Sequence, residues 1–233
     1  MIPHKKVCIT QSNYIPWKGY FKNISDVDVF VLYDDMQYTK RDWRNRNLIK
    51  TPDGLKWLTI PVEVRGKFTQ RINEVMISDK SWQKNHLLTI KQFYKKSKYY
   101  REIIDIVEFW YNKASFEYLS DINLHFIRSI CDFYDIKTTI IKSDEFDMEG
   151  DRTDKLVGIC NQLGATSYYT GPAARNYMEE SKFTVHNISV NYFQYDNYPE
   201  YDQLYAPYQH GVTILDMIFN LGYEGKTFFK DVN

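Results

Sequence analysis

Val7-Cys8-Ile9-Thr10, followed at once by Gln11-Ser12-Asn13-Tyr14-Ile15-Pro16-Trp17-Lys18-Gly19-Tyr20-Phe21, is the stretch that decides the fold. The apolar run is too short for a helix and does not alternate, which marks a strand covered on both faces. A second such run, Val29-Phe30-Val31-Leu32-Tyr33, ends in Asp34-Asp35-Met36-Gln37-Tyr38. In open parallel α/β sheets, ligands bind where the chain leaves the carboxyl ends of the strands. Polar and aromatic residues crowd both of these exits. Pro16 suits the first turn of a helix reaching about Ile24, with Ser12 or Asn13 as its cap. Such a helix aims free N–H groups at the strand mouth, a setting for phosphate or carboxylate.

Outward from there comes a basic, amide-rich segment, Lys40-Arg41-Asp42-Trp43-Arg44-Asn45-Arg46-Asn47-Leu48-Ile49-Lys50. Thr51-Pro52-Asp53-Gly54 is a turn signature. Residues 57–64 alternate as a strand, which Pro61 confines to an edge or bulge, and 72–77 read as its hairpin partner. From Ser81, a capping residue, to about Tyr134 the spacing is helical. Ile103, Ile104, Val107, Trp110 and Tyr111 form one stripe; Ile122, Phe126, Ile127, Ile130 and Tyr134 form another. The strand–helix rhythm then resumes: a strand at 138–142, a helix from Asp151 stopped by Gly164, and a strand 167–170 ending at Gly171-Pro172. A short helix 173–178, a strand 185–193 and a last helix 213–221 follow. The expected architecture is α/β, a Rossmann-like, mainly parallel sheet flanked by helices. One domain spans 1–233, with an α/β core over about 1–80 and 135–233 and a helical insertion or cap over about 81–134.

Composition narrows the class. Thirty basic and thirty acidic residues cancel, which argues against a dedicated DNA-binding module and leaves only the 40–50 segment as a local basic patch. A hydrophobic content of 43% supplies a core. The amino terminus, Met-Ile-Pro-His-Lys-Lys, is not a signal peptide, and no apolar run approaches the length of a membrane span. A soluble cytoplasmic protein is expected. Cys8, Cys131 and Cys160 are far apart and lack metal-ligand spacing. They read as buried thiols, so neither a metal site nor a cysteine nucleophile is expected. Twenty tyrosines and five tryptophans suit stacking on bases and sugar faces, or reflect compositional bias.

The candidate chemistry sits at the strand exits. The Gly-rich dinucleotide fingerprint, the P-loop, the G-x-S-x-G elbow and the H-E-x-x-H pair are all absent from the sequence. Gln11 and Asn13 offer amides to a substrate's polar edge while Tyr14 and Trp17 stack, although a helix cap would use some of the same residues. Asp34, Asp35 and Gln37 follow the second strand. Adjacent carboxylates on an extended chain point to opposite faces, so at most one reaches the site, as a general base or a ligand for a cation, ribose hydroxyl or amine. The alternative is a pair of turn-forming aspartates. Arg41, Arg44 and Arg46, with Trp43 and Asn47, suit a diphosphate or carboxylate, because the guanidinium fork binds such oxyanions bidentately. The alternative is a solvated loop paired with Asp42. Thr170 and Gly171 form a third exit on the same edge. His86 and His125 read as structural residues of helices, and His210 is the histidine to test as acid or base.

The combination Q-S-N-Y-I-P-W-K-G-Y-F, then V-F-V-L-Y-D-D-M-Q-Y-T-K-R-D-W-R-N-R-N-L-I-K and W-L-T-I-P-V, resembles the WbqC-like family. So do L-G-A-T-S-Y-Y-T-G-P-A-A and T-I-L-D-M-I-F-N-L-G. The family's usual Gln-Pro after the first strand is Gln11-Ser12 here. The matching positions are Gln11, Tyr14, Pro16, Trp17, Gly19, Asp35, Gln37, Arg46, Asn47, Gly171 and Asp216. The resemblance implies a setting, bacterial O-antigen and surface polysaccharide assembly. It also implies an activity, transfer of a glycyl-type aminoacyl group to the amine of a nucleotide-linked deoxyamino sugar. In that reading Asp35 or His210 takes the amine proton and Gln11 or Asn47 steadies the oxyanion. The partners would be the nucleotide sugar and an aminoacyl donor such as a charged tRNA or carrier. Two alternatives stand beside it: ATP-dependent activation of a carboxylate, and a non-catalytic nucleotide- or RNA-binding module. All three rest on Gln11, Asp35 and Arg46 lining one hollow.

Overall fold

The computed structural model describes residues 4–230. In chain order the elements are β1 (Lys6–Thr10), α1 (Lys18–Ser25), β2 (Val29–Leu32), β3 (Arg46–Thr51), β4 (Gly54–Thr59), α2 (Trp82–Tyr94), α3 (Tyr100–Lys113) and α4 (Leu119–Phe133). They continue with β5 (Thr139–Lys142), α5 (Arg152–Gln162), β6 (Ser167–Thr170), α6 (Glu180–Val185), β7 (Ser189–Tyr192) and α7 (Ile214–Leu221). Five strands make one parallel sheet in the order β5-β2-β1-β6-β7, with Val7 beside Val29 on one side and Tyr168 on the other. The winding starts at β1, runs out through β2 to β5, then returns to the other flank of β1 for β6 and β7. This is a Rossmann-like α/β fold, and its switch point lies between β1 and β6.

Both faces of the sheet are packed, which is why the strand sequences do not alternate. Cys8, Phe30 and Leu32 face α1, α7 and the three helices α2–α4. Val7, Ile9, Val29, Val31 and Tyr33 face α5 and α6. Each fully buried side chain of this kind, such as Phe30 or Ile24, contributes about 1.5–3 kcal/mol. The stripes of α3 and α4 point inward as their spacing predicts, with Ile103, Val107, Ile122, Phe126, Ile127 and Ile130 all buried. Asp151 caps α5 by accepting from the N–H groups of Thr153 and Asp154, and Thr213 caps α7.

Several expectations need correction: the helix expected at 173–178 is a 3-10 turn, Pro172–Asn176, and the strand expected over 185–193 is confined to β7, since Val185 ends α6. Residues 72–77 meet 57–64 only through a single antiparallel bridge, Val62 to Ile77, with the Glu63 N–H donating to the Met76 carbonyl, and form no second strand. Ile72–Glu74 is a 3-10 turn, because the N–H of Ile72 bonds to the Met36 carbonyl and that of Asn73 to Asp34 at the exit of β2. β4 ends at Thr59, before Pro61, and pairs only with β3. Finally, Ser12 and Asn13 do not cap α1, and Ser81 makes no side-chain cap to α2. Trp17 sits at the cap of α1 in extended backbone, because Ser12 and Asn13 are engaged elsewhere.

Candidate functional site

The corner after β1 is built in two directions. The Ser12 N–H donates to Asp34 Oδ1 at 2.8 Å, locking the exits of β1 and β2 together. Tyr14 then turns into the core and is 0% exposed. Its hydroxyl lies 2.6 Å from the Tyr111 hydroxyl and 2.9 Å from His86 Nδ1, with Trp82 and Phe126 packed edge-on. Ile15 sits at φ 37°, a conformation that a β-branched residue adopts under strain. Its carbonyl accepts from Asn47 Nδ2 at 2.9 Å and from the Thr213 hydroxyl at 2.7 Å, and the Pro16 carbonyl accepts from the Ile214 N–H. The strained turn is thereby bolted to β3 and to the start of α7.

On its outer side this turn opens into a hollow of about 320 Å³, lined by Asn13, Pro16, Trp17, Trp43, Asn47, His210 and Gly211. Gly19 seats the indole of Trp17: a Cβ there would lie 2.3 Å from the ring. Trp43 is 40% exposed and packs against Trp57 at 5.3 Å between centroids, and the Arg46 guanidinium lies 4.0 Å over the Trp57 ring. His210 packs edge-on against Tyr208 at 4.7 Å, with Glu200 3.9 Å from its Nε2. Burial and the Lys18 charge lower its pKa and outweigh Glu200. The lowered pKa favours the neutral imidazole, the form that can accept a proton.

Two buried lysines hold the loop that carries His210. Lys18 Nζ donates to the Pro199 carbonyl at 2.6 Å and the Tyr208 hydroxyl at 2.7 Å, amid the rings of Tyr201, Tyr208 and Phe228. Desolvation lowers its pKa to about 8. Lys50 Nζ donates to Gln203 Oε1 at 2.8 Å and to the carbonyls of Tyr205 and Pro207. Below them, buried Asp216 accepts from Tyr201 at 2.9 Å and Tyr94 at 3.1 Å, and burial raises its pKa. Asp216 is thus the floor of a hydrogen-bond network under this loop.

Arg44 occupies the seam beside the hollow. Its guanidinium donates to both Asn13 Oδ1 and Gln11 Oε1, while the nearest acid, Asp42, stands 3.7 Å away. Gln11 belongs to a second space, a crevice of about 200 Å³ at the switch point, whose walls include Thr10, Thr170, Gly171 and Arg152. Hollow and crevice lie on opposite faces of the sheet, since Trp17 packs with the α1–α7 core whereas Ile9, Tyr33 and Leu156 belong to the α5–α6 core.

The structure therefore groups Asn13, Trp17, Trp43, Asn47 and His210 in the hollow and Gln11, Thr170 and Gly171 in the crevice. Other expected site residues go elsewhere. Tyr14 does not stack on a ligand, because it is sealed in the core. Asp34 is buried against Ser12, and desolvation lifts its pKa to about 6. Asp35 is tied to Ser143, to Asn73 Nδ2 at 3.2 Å and to Arg71 at 3.6 Å. Gln37 is exposed and donates to the Phe68 carbonyl. Arg46 is spent on Trp57 and the Arg41 carbonyl, and Arg41 lines neither space. Asn47 lines the hollow, but its amide is committed to Tyr14, Ile15 and Leu48. Gln11, Asp35 and Arg46 share no cavity, so the geometric premise drawn from sequence fails, and with it the assignment of Asp35 as base and Arg46 as anion holder; two separate spaces stand in place of the single hollow. His86 and His125 bond to core partners, and the three cysteines are buried. Among the described residues, no group of three or more His, Cys, Asp or Glu side chains is arranged to hold a metal ion, and no helix is long and apolar enough to cross a membrane.

Sequence reasoning missed Lys18, Lys50 and Arg152. The first two read as ordinary surface charges. Arg152 reads as the first turn of a helix.

The model of the WbqC-like protein family matches residues 11–227. The chain is 42% identical over 226 residues to Rv1507c of Mycobacterium tuberculosis, itself described as uncharacterized, covering 97% of this chain and 98% of that one. No solved structure matches it.

Proposed function

This chain belongs to the WbqC-like protein family, and from that membership and the hollow at the sheet edge we propose an acyl transferase. It attaches an aminoacyl, glycyl-type group to the amine of a nucleotide-linked deoxyamino sugar, at the cytoplasmic stage of surface polysaccharide (O-antigen) assembly. One observation carries the reading: two tryptophans, an amide and a histidine share one hollow of about 320 Å³. Indole faces suit the C–H faces of a sugar. His210 takes the proton from the amine as nitrogen attacks the donor carbonyl. Arg44, fixed by Gln11 and Asn13, meets the negative charge that develops on the carbonyl oxygen.

The test is turnover on a nucleotide-linked amino sugar with an activated glycyl donor. His210→Asn is expected to lower kcat by about 10²–10⁴-fold. Asp35→Asn is expected to leave it near wild type, since Asp35 is engaged with Ser143, Asn73 and Arg71. Full turnover by the His210 variant defeats the assignment. A second reading, a non-catalytic nucleotide- or RNA-binding module, is favoured by the exposed ladder of Trp43, Trp57 and Arg46. It requires binding of single-stranded RNA that falls steeply with salt and no turnover. Activation of a carboxylate by ATP would register instead as amino-acid-dependent pyrophosphate exchange.

A further inference from the structure

The switch-point crevice has the make-up of a binding site that the proposed reaction has not yet used. Its inner wall is apolar, from Ile9, Leu156 and Ala174, while Thr10, Gln11 and Thr170 bring polar groups to the strand ends. At the rim, the Arg152 guanidinium lies over the Tyr177 ring, 3.6 Å from its centroid. The two acids beside it, Asp151 and Asp154, are taken by Lys182 at 2.5 and 2.8 Å. Arg152 consequently has no hydrogen bond or ion pair among the described residues, and its fork is held ready for a planar or tetrahedral oxyanion. The first N–H groups of α5 are capped by Asp151, so the guanidinium rather than the helix end supplies the attraction.

The crevice is linked to the hollow through one side chain. Gln11 lines the crevice, Asn13 lines the hollow, and the Arg44 guanidinium grips both amide oxygens. We propose that the crevice is a second substrate site, binding the oxyanion-bearing end of the acyl donor, so that donor and acceptor reach the Gln11–Asn13 corner from opposite faces of the sheet. This rests on the acyl-transfer reading. In the step, the acceptor amine forms a C–N bond to the donor's carbonyl carbon. The bond from that carbon to its leaving oxygen breaks, the amine proton passes to His210, and the oxyanion stays with Arg152 until it departs. At about 200 Å³ the space is below the roughly 300–1,000 Å³ of pockets that enclose a whole drug-sized ligand, so it takes an end-group.

Calorimetric titration of the full chain with inorganic phosphate, AMP and N-acetylglycine tests this without requiring turnover. Binding with a Kd below about 1 mM is expected for at least one probe. Phosphate or AMP identifies a phosphate leaving group, and N-acetylglycine a carboxylate. Arg152→Met, at an exposed and unpaired position, is expected to weaken that probe by about ten-fold or more. Ala173→Phe, which fills the rim, is expected to do the same, while His210→Asn binds as wild type does. No binding by any probe to about 10 mM, or equal binding by the wild type and the Arg152 variant, overturns the proposal. If Arg152→Met binds normally while His210→Asn abolishes turnover, the second site falls and the acyl-transfer reading survives. If His210→Asn keeps full turnover while Arg152→Met loses the probe, that reading falls and the crevice stands as an anion site.

Discussion

Tyr14 and Trp17 leave the same turn three residues apart and end in opposite surroundings. Tyr14 points into a sealed pocket where its hydroxyl is shared between Tyr111 and His86, and His86 Nε2 in turn lies 3.1 Å from the Thr59 carbonyl. Trp17 points into the hollow, alongside a half-exposed Trp43 and His210. Both sides carry aromatic rings and a histidine, so composition does not distinguish them. What distinguishes them is saturation. The inner groups find protein partners, as buried polar atoms must, whereas the outer side leaves ring faces and an imidazole open to a ligand.

The sharpest way to break this contrast is to empty the inner side. Tyr14→Ala is expected to cost about 3–5 kcal/mol, because it removes a fully buried ring and strands the hydroxyl of Tyr111. Chemical denaturation reads the loss, and a cost under about 1 kcal/mol would mean the pocket is not sealed. Next in size is a pH effect. Desolvation lowers the pKa of His86 to about 4, against about 6.5 in the unfolded chain. Below pH 6.5 the unfolded chain takes up a proton that the folded one refuses, so His86 adds stability above that pH. The contribution is lost as pH falls toward 4, about 3 kcal/mol in all. Denaturation midpoints across this window should fall for the wild type and fall less for His86→Gln. An equal slope in both proteins would remove His86 from the sealed network.

The smallest expected effect lies on the open side and sharpens the contrast. Trp43→Ala should change stability by less than about 0.5 kcal/mol, as surface substitutions do, yet weaken nucleotide-sugar binding by roughly 1–3 kcal/mol if a base or sugar stacks there. A thermal shift for the free protein paired with unchanged ligand affinity would reverse the roles assigned to the two sides.

Much of the architecture was legible in the residues. The runs at 7–10 and 29–33 are apolar without alternation because both sheet faces are covered, and the stripes of α3 and α4 declare their buried sides through period alone. The 72–77 segment misled because its apolar residues serve a 3-10 turn whose backbone partners, Met36 and Asp34, lie far back in the chain. The strand exits were legible as a site, but not its division. Asp34 and Asp35 look equivalent, yet one is buried against the Ser12 N–H and the other is held by Ser143 and Asn73. Lys18 and Lys50 gave no sign of burial, because a long cation shows its environment only through neighbours supplied by the 198–210 loop.

Sequence by itself determined the α/β class, the order of most elements and the edge at which chemistry gathers, since these follow from local periodicity and from the residues that end strands. Only the tertiary structure decided which polar side chains are spent and which remain free. Tyr14 is closed off by helices that begin 68 residues further along the chain, at Trp82, Arg44 is set between Gln11 and Asn13 by the chain's return through β3, and the loop of His210 is held by two lysines from distant elements. Burial and hydrogen-bond saturation are properties of the assembled neighbours, and no window of local sequence contains them.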